Sequence, residues 1–263
     1  MVNNFIIHVL GTAQDGGYPH AGCKDSCCLD IWDKPASHRL PASVALVDKK
    51  NKNFYLFDIT PNIKEQLHFL DQYNCQLSGI FITHAHIGHY VGLLDLGLEI
   101  MNTDNIPVYV MPRMKQFILN NEPMAQLIKN NNIQLIALEN DCDILLNNLS
   151  ITPFEVPHRN ELSETVGFRI KNSNKSVIYL PDIDDWDSWS VNLEDIIINN
   201  NILFLDGAFY TKNEIKLRDI SKIPHPDILD TINRLSNLSL DYKKRVYFIH
   251  FNHTNDVIRR NTK

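Results

Sequence analysis

Residues 79–89 read Gly-Ile-Phe-Ile-Thr-His-Ala-His-Ile-Gly-His, an apolar run followed by three histidines. The apolar and β-branched residues at 79–83 are typical of a buried strand. Three histidines within six residues directly after a strand can converge on one point, and neutral imidazole is the commonest side chain that binds metals in proteins. The stretch therefore predicts a site for a zinc, iron or manganese-type ion at a strand-to-helix turn. The alternative is a polar loop that contains unrelated histidines.

Similar short apolar runs recur along the chain, bounded by Gly, Pro, Asn and Asp. They predict strands at 5–10, 43–48, 54–58, 79–83, 108–111, 134–138, 150–155, 165–171, 176–180, 202–205 and 245–249. Helical spacing of apolar residues predicts helices at 62–72, 92–101, 115–121, 193–199 and 226–235. The strands form two clusters, separated by the helices around residues 92–128. We therefore expect one α/β domain over residues 1–263, with two sheets covered by helices.

Composition, charge and the length of the apolar stretches indicate where the protein is located and which kinds of partner it has. Of its 263 residues 44% are apolar and 21% charged, and the formal net charge is −6, so no positive field attracts nucleic acid. No apolar stretch approaches the about 20 residues that a membrane span needs, and the N-terminus lacks a secretory pattern. We expect a cytoplasmic protein with a small-molecule substrate and no membrane or nucleic-acid partner. A homodimer is one candidate assembly.

Metal-binding residue types also follow other predicted strands. His158 follows the strand at 150–155, Asp182 follows the strand at 176–180, and His250 closes the strand at 245–249. Strand ends at one edge of a sheet are where α/β enzymes build their sites. Each residue alone has a simpler interpretation, as a loop histidine or as an aspartate that caps a turn.

Together these residues are similar to a known family. The order His84, His86, His89, His158, Asp182, His250 resembles the metallo-β-lactamase superfamily, and within it the coenzyme PQQ synthesis protein B group. Phosphodiesterases of phosphonate metabolism and tRNase Z are its relatives. The likeness spans nearly the whole chain, including residues 11–17, 57–61, 157–159, 165–168, 205–209 and 249–255. The resemblance implies a four-layer αββα sandwich.

The resemblance also implies the ligands. His84, His86 and His158 would hold a first ion, and Asp182 would bridge to a second ion completed by His89 and His250. The family pattern is usually His-x-His-x-Asp-His, and this chain has Gly88 in place of the aspartate. Because the second site thereby loses an anionic ligand, we expect one tightly held ion. Zn²⁺ is the expected ion, with Mn²⁺ or Fe²⁺ as alternatives.

Three of the five cysteines, Cys23, Cys27 and Cys28, cluster after the glycine-rich loop. The phosphonate-pathway phosphodiesterases look similar there, which implies a structural zinc ion with His253 as the fourth ligand. The alternatives are reduced thiols without a metal and, less consistent with the cytoplasm, disulfides. Cys75 and Cys142 stand alone, and we expect both to be buried.

The expected activity is that of a metal-dependent hydrolase that activates water to cleave a small phosphodiester or a related ester. Asp182, His225 and Asp206 are the candidate catalytic residues. His225 is a proton donor in this hypothesis and a loop residue before a helix in the alternative. Asp58 either orients the histidines or forms a turn. Asp15 and His20 are expected to have hydrogen-bonded roles in the glycine-rich loop.

Two other functions remain open. One is an oxidative enzyme that uses a single iron ion and dioxygen, as the PQQ-synthesis group implies, since the absence of an aspartate at position 88 favours one ion. The other is a non-catalytic metal-binding protein on an enzyme fold.

Overall fold

The apolar runs of the sequence form two sheets. The computed structural model describes residues 5–214 and 223–260. The first sheet contains, in spatial order, β1 (Phe5–Gly11), β2 (Ser43–Asp48), β3 (Asn53–Phe57), β4 (Gln76–Phe81), β5 (Ile106–Val110) and β6 (Ile133–Ala137). The second contains, in spatial order, β12 (Val246–Ile249), β11 (Ile202–Asp206), β10 (Ser176–Leu180), β9 (Val166–Lys171), β8 (Leu149–Glu155) and β7 (Ile144–Leu146).

The strands belong to two compact units. Of the described residues, the first unit comprises 5–15, 40–139 and 160–164, and the second comprises 16–39, 140–159, 165–214 and 223–260. The helices are α1 (Ser26–Leu29), α2 (Ile63–Leu70), α3 (Ile87–Tyr90), α4 (Pro112–Asn120), α5 (Glu122–Lys129), α6 (Leu193–Asn199), α7 (Ile228–Arg234), α8 (Leu240–Lys243) and α9 (Asp256–Arg260). The sequence prediction of a single domain over 1–263 stays a prediction.

Both sheets are mixed, and their parallel parts position the polar residues. In the first, β3, β4, β5 and β6 are parallel; in the second, β10, β11 and β12 are parallel. The carboxyl ends of parallel neighbours lie at one edge of a sheet. Residues that follow β3 and β4 therefore meet in the first unit, and residues that follow β10, β11 and β12 meet in the second.

Each unit has its own apolar core. The core of the first unit includes side chains from β2 to β5 and from α2, α4 and α5. Helix α2 buries Ile63, Gln66 and Leu70, and the Gln66 amide donates to the Pro41 carbonyl at 2.9 Å, which satisfies this buried polar group. The core of the second unit includes Trp186 and Trp189, which pack with strands β8, β10 and β11. No helix among the described residues combines the length and the apolar character needed to cross a membrane.

Two expectations about the elements are wrong, and one strand was not predicted. The helix at 92–101 is a 3-10 helix at Val91–Leu96 followed by turns, because Gly92 approaches the strand-end loop so closely that a Cβ would lie 2.2 Å from the Thr60 carbonyl oxygen. The two strand clusters divide after β6 and not at the helices around 92–128, since β5 and β6 pair in the first sheet. The short edge strand β7 has no counterpart in the prediction.

Candidate metal centre

Asp58 organises the histidines of the first unit. It lies directly after β3, is fully buried and has a left-handed φ of +64°. Its Oδ1 accepts from the Thr83 amide at 2.8 Å and lies 2.9 Å from the Thr83 hydroxyl, and its Oδ2 lies 2.7 Å from His89 Nδ1. An ionised carboxylate only accepts, so His89 carries its proton on Nδ1 and presents the Nε2 lone pair. Asp58 is therefore both a turn residue and an orienting partner.

A second histidine is oriented through Thr83. The Thr83 hydroxyl lies 2.9 Å from His84 Nδ1, and because it donates to Asp58 it accepts the proton of that nitrogen. His84 Nε2 then faces His86 Nδ1 at 2.8 Å. The backbone between them is held by the Ser163 hydroxyl, which accepts from the Ala85 amide at 2.9 Å. Three imidazoles thus stand together in the first unit, two of them oriented through Asp58 and Thr83.

The second unit presents a matching set around Asp182, which follows β10 and is buried. His158 Nδ1 lies 2.7 Å from Asp184 Oδ1, so the ring carries a proton on Nδ1, and its Nε2 lies 3.4 Å from Asp182 Oδ1. His250 Nε2 lies 3.6 Å from Asp182 Oδ2, and the His250 backbone has a φ of +66°. The His158 Nε2 lone pair faces an Asp182 carboxylate oxygen in a buried site, and a positive charge between or beside the two atoms would stabilise this contact.

Asp206 and His225 complete this set. Asp206 accepts from the amides of Ile183 at 3.1 Å and Ala208 at 2.9 Å, and its Oδ2 lies 2.7 Å from His225 Nδ1. His225 Nδ1 also lies 3.3 Å from Asp182 Oδ1. Burial lowers the pKa of His225, but the two carboxylates outweigh burial and raise its pKa to about 9 in the metal-free protein. Asp206 therefore acts on the site by holding His225.

A pocket of about 520 Å³ adjoins this set in the second unit. His225 and Asp184 line it, together with the indole of Trp186. Its rim carries four aspartates against two cations, and Lys212 pairs with Asp230 at 3.3 Å while Arg234 pairs with Asp187. The pocket is of the size that holds small ligands. Trp186 and Trp189 also pack in the core of this unit.

The cysteine cluster lies within the second unit. Cys23 Sγ is 3.6 Å from Cys27 Sγ, and Cys27 Sγ is 4.0 Å from Cys28 Sγ. One ligand atom from each of these cysteines and from His253 lies within 4.8 Å of the others. A tetrahedral ion with zinc–sulfur distances of about 2.3 Å separates its sulfurs by about 3.8 Å, so the spacing fits zinc. Burial raises the pKa of the Cys28 thiol to about 12, so without a cation this thiol stays protonated.

Most of the predicted site residues lie just after strands or in the cysteine cluster, whereas His89 lies in α3 and His225 lies in the segment before α7. Within the second unit, Asp182, Asp206, His225 and His250 offer ligand atoms within 4.8 Å of one another. The assignment of His84, His86 and His158 to one ion, and of His89, Asp182 and His250 to another, combines residues of both units and stays a prediction. The expectation that Cys75 and Cys142 are buried is wrong, because Cys75 is only partly buried and Cys142 is exposed.

The sequence reasoning missed three residues that orient the histidines, namely Thr83, Ser163 and Asp184. Asp184 carried a signal, because it lies two positions after Asp182 in a run of aspartates behind a strand. Thr83 adjoins the histidines in sequence, but its hydroxyl can orient His84 only because Asp58 accepts its proton, and that contact is tertiary. Ser163 accepts a hydrogen bond from Ala85, which lies 78 residues away, so no local sequence pattern could predict this contact.

Comparison with known proteins agrees with this arrangement of two mixed sheets. A family model described as a β-lactamase superfamily domain matches residues 53–251. The chain therefore belongs to this superfamily and has the metallo-β-lactamase fold, an α/β sandwich with two mixed sheets, as the sequence predicted.

Individual relatives narrow the comparison. Coenzyme PQQ synthesis protein B of Xanthomonas axonopodis pv. citri is 24% identical, over 96% of this chain and 91% of its own length. The crystal structure of Zn²⁺-bound PqqB from Methylobacterium extorquens has a TM-score of 0.79 at 20% identity, covering 96% of this chain and 91% of that one. A diphosphatase from the PhnP family has a TM-score of 0.66 at 22% identity, covering 95% and 88%. Human tRNase Z, short form, has a TM-score of 0.60 at 18% identity, covering 94% and 92%.

Proposed function

We propose that the protein is a metal-dependent hydrolase that cleaves a small phosphodiester or a related ester. The observation that carries the proposal is the buried set around Asp182, in which Nε2 of His158 and Nε2 of His250 each lie within 3.6 Å of an Asp182 carboxylate oxygen. Imidazole nitrogens and carboxylate oxygens are the ligands that Zn²⁺, Mn²⁺ and Fe²⁺ share. The donor set therefore fits a divalent ion, and the buried carboxylates gain a counter-charge from it.

The chain's own residues orient the reaction. When bound, a divalent ion polarises an ester or phosphoryl oxygen and lowers the pKa of a bound water toward about 7. Asp184 and Asp206 keep the Nδ1 protons of His158 and His225, which fixes both rings. Because His225 also lines the pocket, it is placed to donate a proton to the leaving oxygen of a ligand bound there.

The pocket limits the substrate. Its four aspartates and two cations leave a formal charge of −2, that is +2 − 4. Among the described residues that line the pocket, both cations are paired with rim aspartates, so neither is free to bind a string of phosphates. A substrate with a single phosphodiester charge meets less repulsion than a polyphosphate. The PhnP-family diphosphatase among the structural neighbours supports a hydrolase, and the cysteine cluster is proposed to hold a structural zinc ion.

The test uses bis(p-nitrophenyl) phosphate and protein loaded with Zn²⁺, Mn²⁺ or Fe²⁺. The wild-type protein should release p-nitrophenol, and His86→Ala should not. His68→Ala is the matched control, because His68 is an exposed histidine of the first unit that pairs with Asp71 at the surface. Absence of cleavage with every ion and with carboxylic esters would refute the hydrolase.

One alternative function has a specific observation in its favour, since the PQQ synthesis protein B relatives match along 96% of this chain. An oxidative enzyme with one iron ion would contain iron after anaerobic purification and would consume dioxygen. That result, without ester cleavage, would replace the hydrolase by the oxidative enzyme.

A further inference from the structure

Gly88 stands where the family pattern has an aspartate, and in this chain the space beside it is filled. A Cβ built on Gly88 would lie 2.1 Å from Asp15 Oδ1 and 2.7 Å from Asp15 Cα. Both distances are far below ordinary van der Waals contact. The carboxylate of Asp15 therefore begins at the point where a side chain of residue 88 would start, and the two cannot be present together without a shift of the backbone.

Asp15 also faces His89, the predicted metal ligand that directly follows position 88. Its Oδ1 lies 3.5 Å from His89 Nε2, the nitrogen that Asp58 leaves without a proton. That oxygen is buried, and among the described residues it accepts no hydrogen bond. A buried carboxylate oxygen that faces an imidazole lone pair is costly unless a cation lies nearby.

The loop that carries Asp15 is held in place. The amides of Thr12 and Ala13 donate to the Leu40 carbonyl at 2.9 Å each, and the Ala42 amide donates to the Ala13 carbonyl at 2.8 Å. Gly11 permits this approach, because a Cβ there would lie 1.9 Å from the Pro41 carbonyl oxygen. Backbone hydrogen bonds to residues 40–42 therefore hold the loop that positions the Asp15 carboxylate.

We propose that Asp15 replaces the aspartate missing at position 88 and is an anionic ligand of the ion that His89 binds. The inference rests on the metal dependence of the proposed function and deepens it. With Asp15 as a ligand, this ion regains the negative charge that Gly88 cannot supply, and charge count is a main determinant of affinity for divalent ions. The chain then holds two ions with comparable ligand charge, in place of the single ion expected from its histidine motif.

The experiment measures binding of Mn²⁺, a hard ion that thiolate clusters do not select. Metal-stripped protein is titrated, and free Mn²⁺ is counted by electron paramagnetic resonance. The wild-type protein should bind two equivalents, and Asp15→Asn should bind the second at least tenfold more weakly, which is the loss expected for a ligand or its close partner. Asp71→Asn is the matched control, since Asp71 also pairs with a histidine, but at the exposed surface, and should bind as the wild-type protein does.

A second measurement separates ligand loss from misfolding. Metal-stripped Asp15→Asn should melt at the same temperature as the metal-stripped wild-type protein or higher, and added Mn²⁺ should raise its Tm by less. An Asp15→Asn affinity within tenfold of the wild-type value, or a wild-type protein that binds fewer than two Mn²⁺, overturns the inference. The Mn²⁺ titration does not depend on hydrolysis, so the two proposals can fail separately. If the wild-type protein cleaves esters but Asp15→Asn binds Mn²⁺ as tightly as the wild-type protein, only the role of Asp15 as a ligand is refuted. If Asp15→Asn binds Mn²⁺ more weakly but the wild-type protein cleaves no ester, only the hydrolase is refuted.

Discussion

Replacing Asp58 by asparagine should move the proton of His89 from one ring nitrogen to the other. An asparagine keeps one acceptor, which the Thr83 amide needs at 2.8 Å, and turns the other oxygen into an NH₂ donor. That donor then faces His89 Nδ1, 2.7 Å away, which must accept. The His89 proton is thereby forced to Nε2, the nitrogen 3.5 Å from Asp15 that carries the predicted metal lone pair.

The expected magnitude follows from the type of contact. Loss of a partner that orients a metal-binding histidine weakens binding about 10–100-fold, or about 1.4–2.7 kcal/mol. The fold should suffer less, because Asp58→Asn retains the bond to the Thr83 amide; a loss of about 1 kcal/mol is expected from one weakened hydrogen bond. Asp58→Ala leaves the Thr83 amide and His89 Nδ1 without their acceptor and should cost about 2–5 kcal/mol.

The assays are Mn²⁺ titration, urea unfolding of the metal-free protein, and nitrogen-15 NMR of the histidine rings. The matched control is Asp48→Asn. Asp48 is equally buried at the end of a strand of the same sheet. It accepts from the amides of Lys50 and Asn51 at 3.1 Å, and its hydrogen-bond partners among the described residues include no histidine. The reasoning is refuted if Asp58→Asn binds Mn²⁺ like Asp48→Asn, or if His89 keeps its proton on Nδ1.

Two further predictions concern the second unit. Cys28→Ser should remove one equivalent of zinc and lower the Tm, because a structural zinc contributes folding energy. Cys142→Ser, at the exposed surface, should change neither the zinc content nor the Tm. Plasma mass spectrometry measures the zinc content and thermal melts measure the Tm, and equal zinc contents in the two variants would contradict the structural site. In metal-stripped protein, the raised pKa of His225 stabilises the fold fully below pH 6.5, and this stability is lost as the pH rises through about 9. The loss should be about 3 kcal/mol in urea unfolding and absent in His225→Gln, and a flat profile in the wild-type protein would contradict the charged pair with Asp206 and Asp182.

Much of the fold could be read from local pattern. Strands β2 and β10 lie at the predicted residues, because each is a continuous run of β-branched and apolar side chains between polar turns. The failures came where tertiary contact outweighs local preference. The helical spacing at 92–101 gave way to a 3-10 helix because the Gly92 amide donates to the Ile59 carbonyl at 3.1 Å, a bond that ties the segment to the end of β3.

The sequence alone determined the kinds of side chain that stand at the strand ends, because a strand followed by His, Asp or Cys is a local pattern. Only the tertiary structure decided which nitrogen each histidine presents, since the tautomers depend on Asp58 and Asp184, 31 and 26 residues away from the rings they orient. It likewise decided what occupies the space beside Gly88. In the sequence, Gly88 indicates only that a carboxylate is missing from the motif. The carboxylate of Asp15 reaches that position because the glycine-rich loop is hydrogen-bonded to residues 40–42.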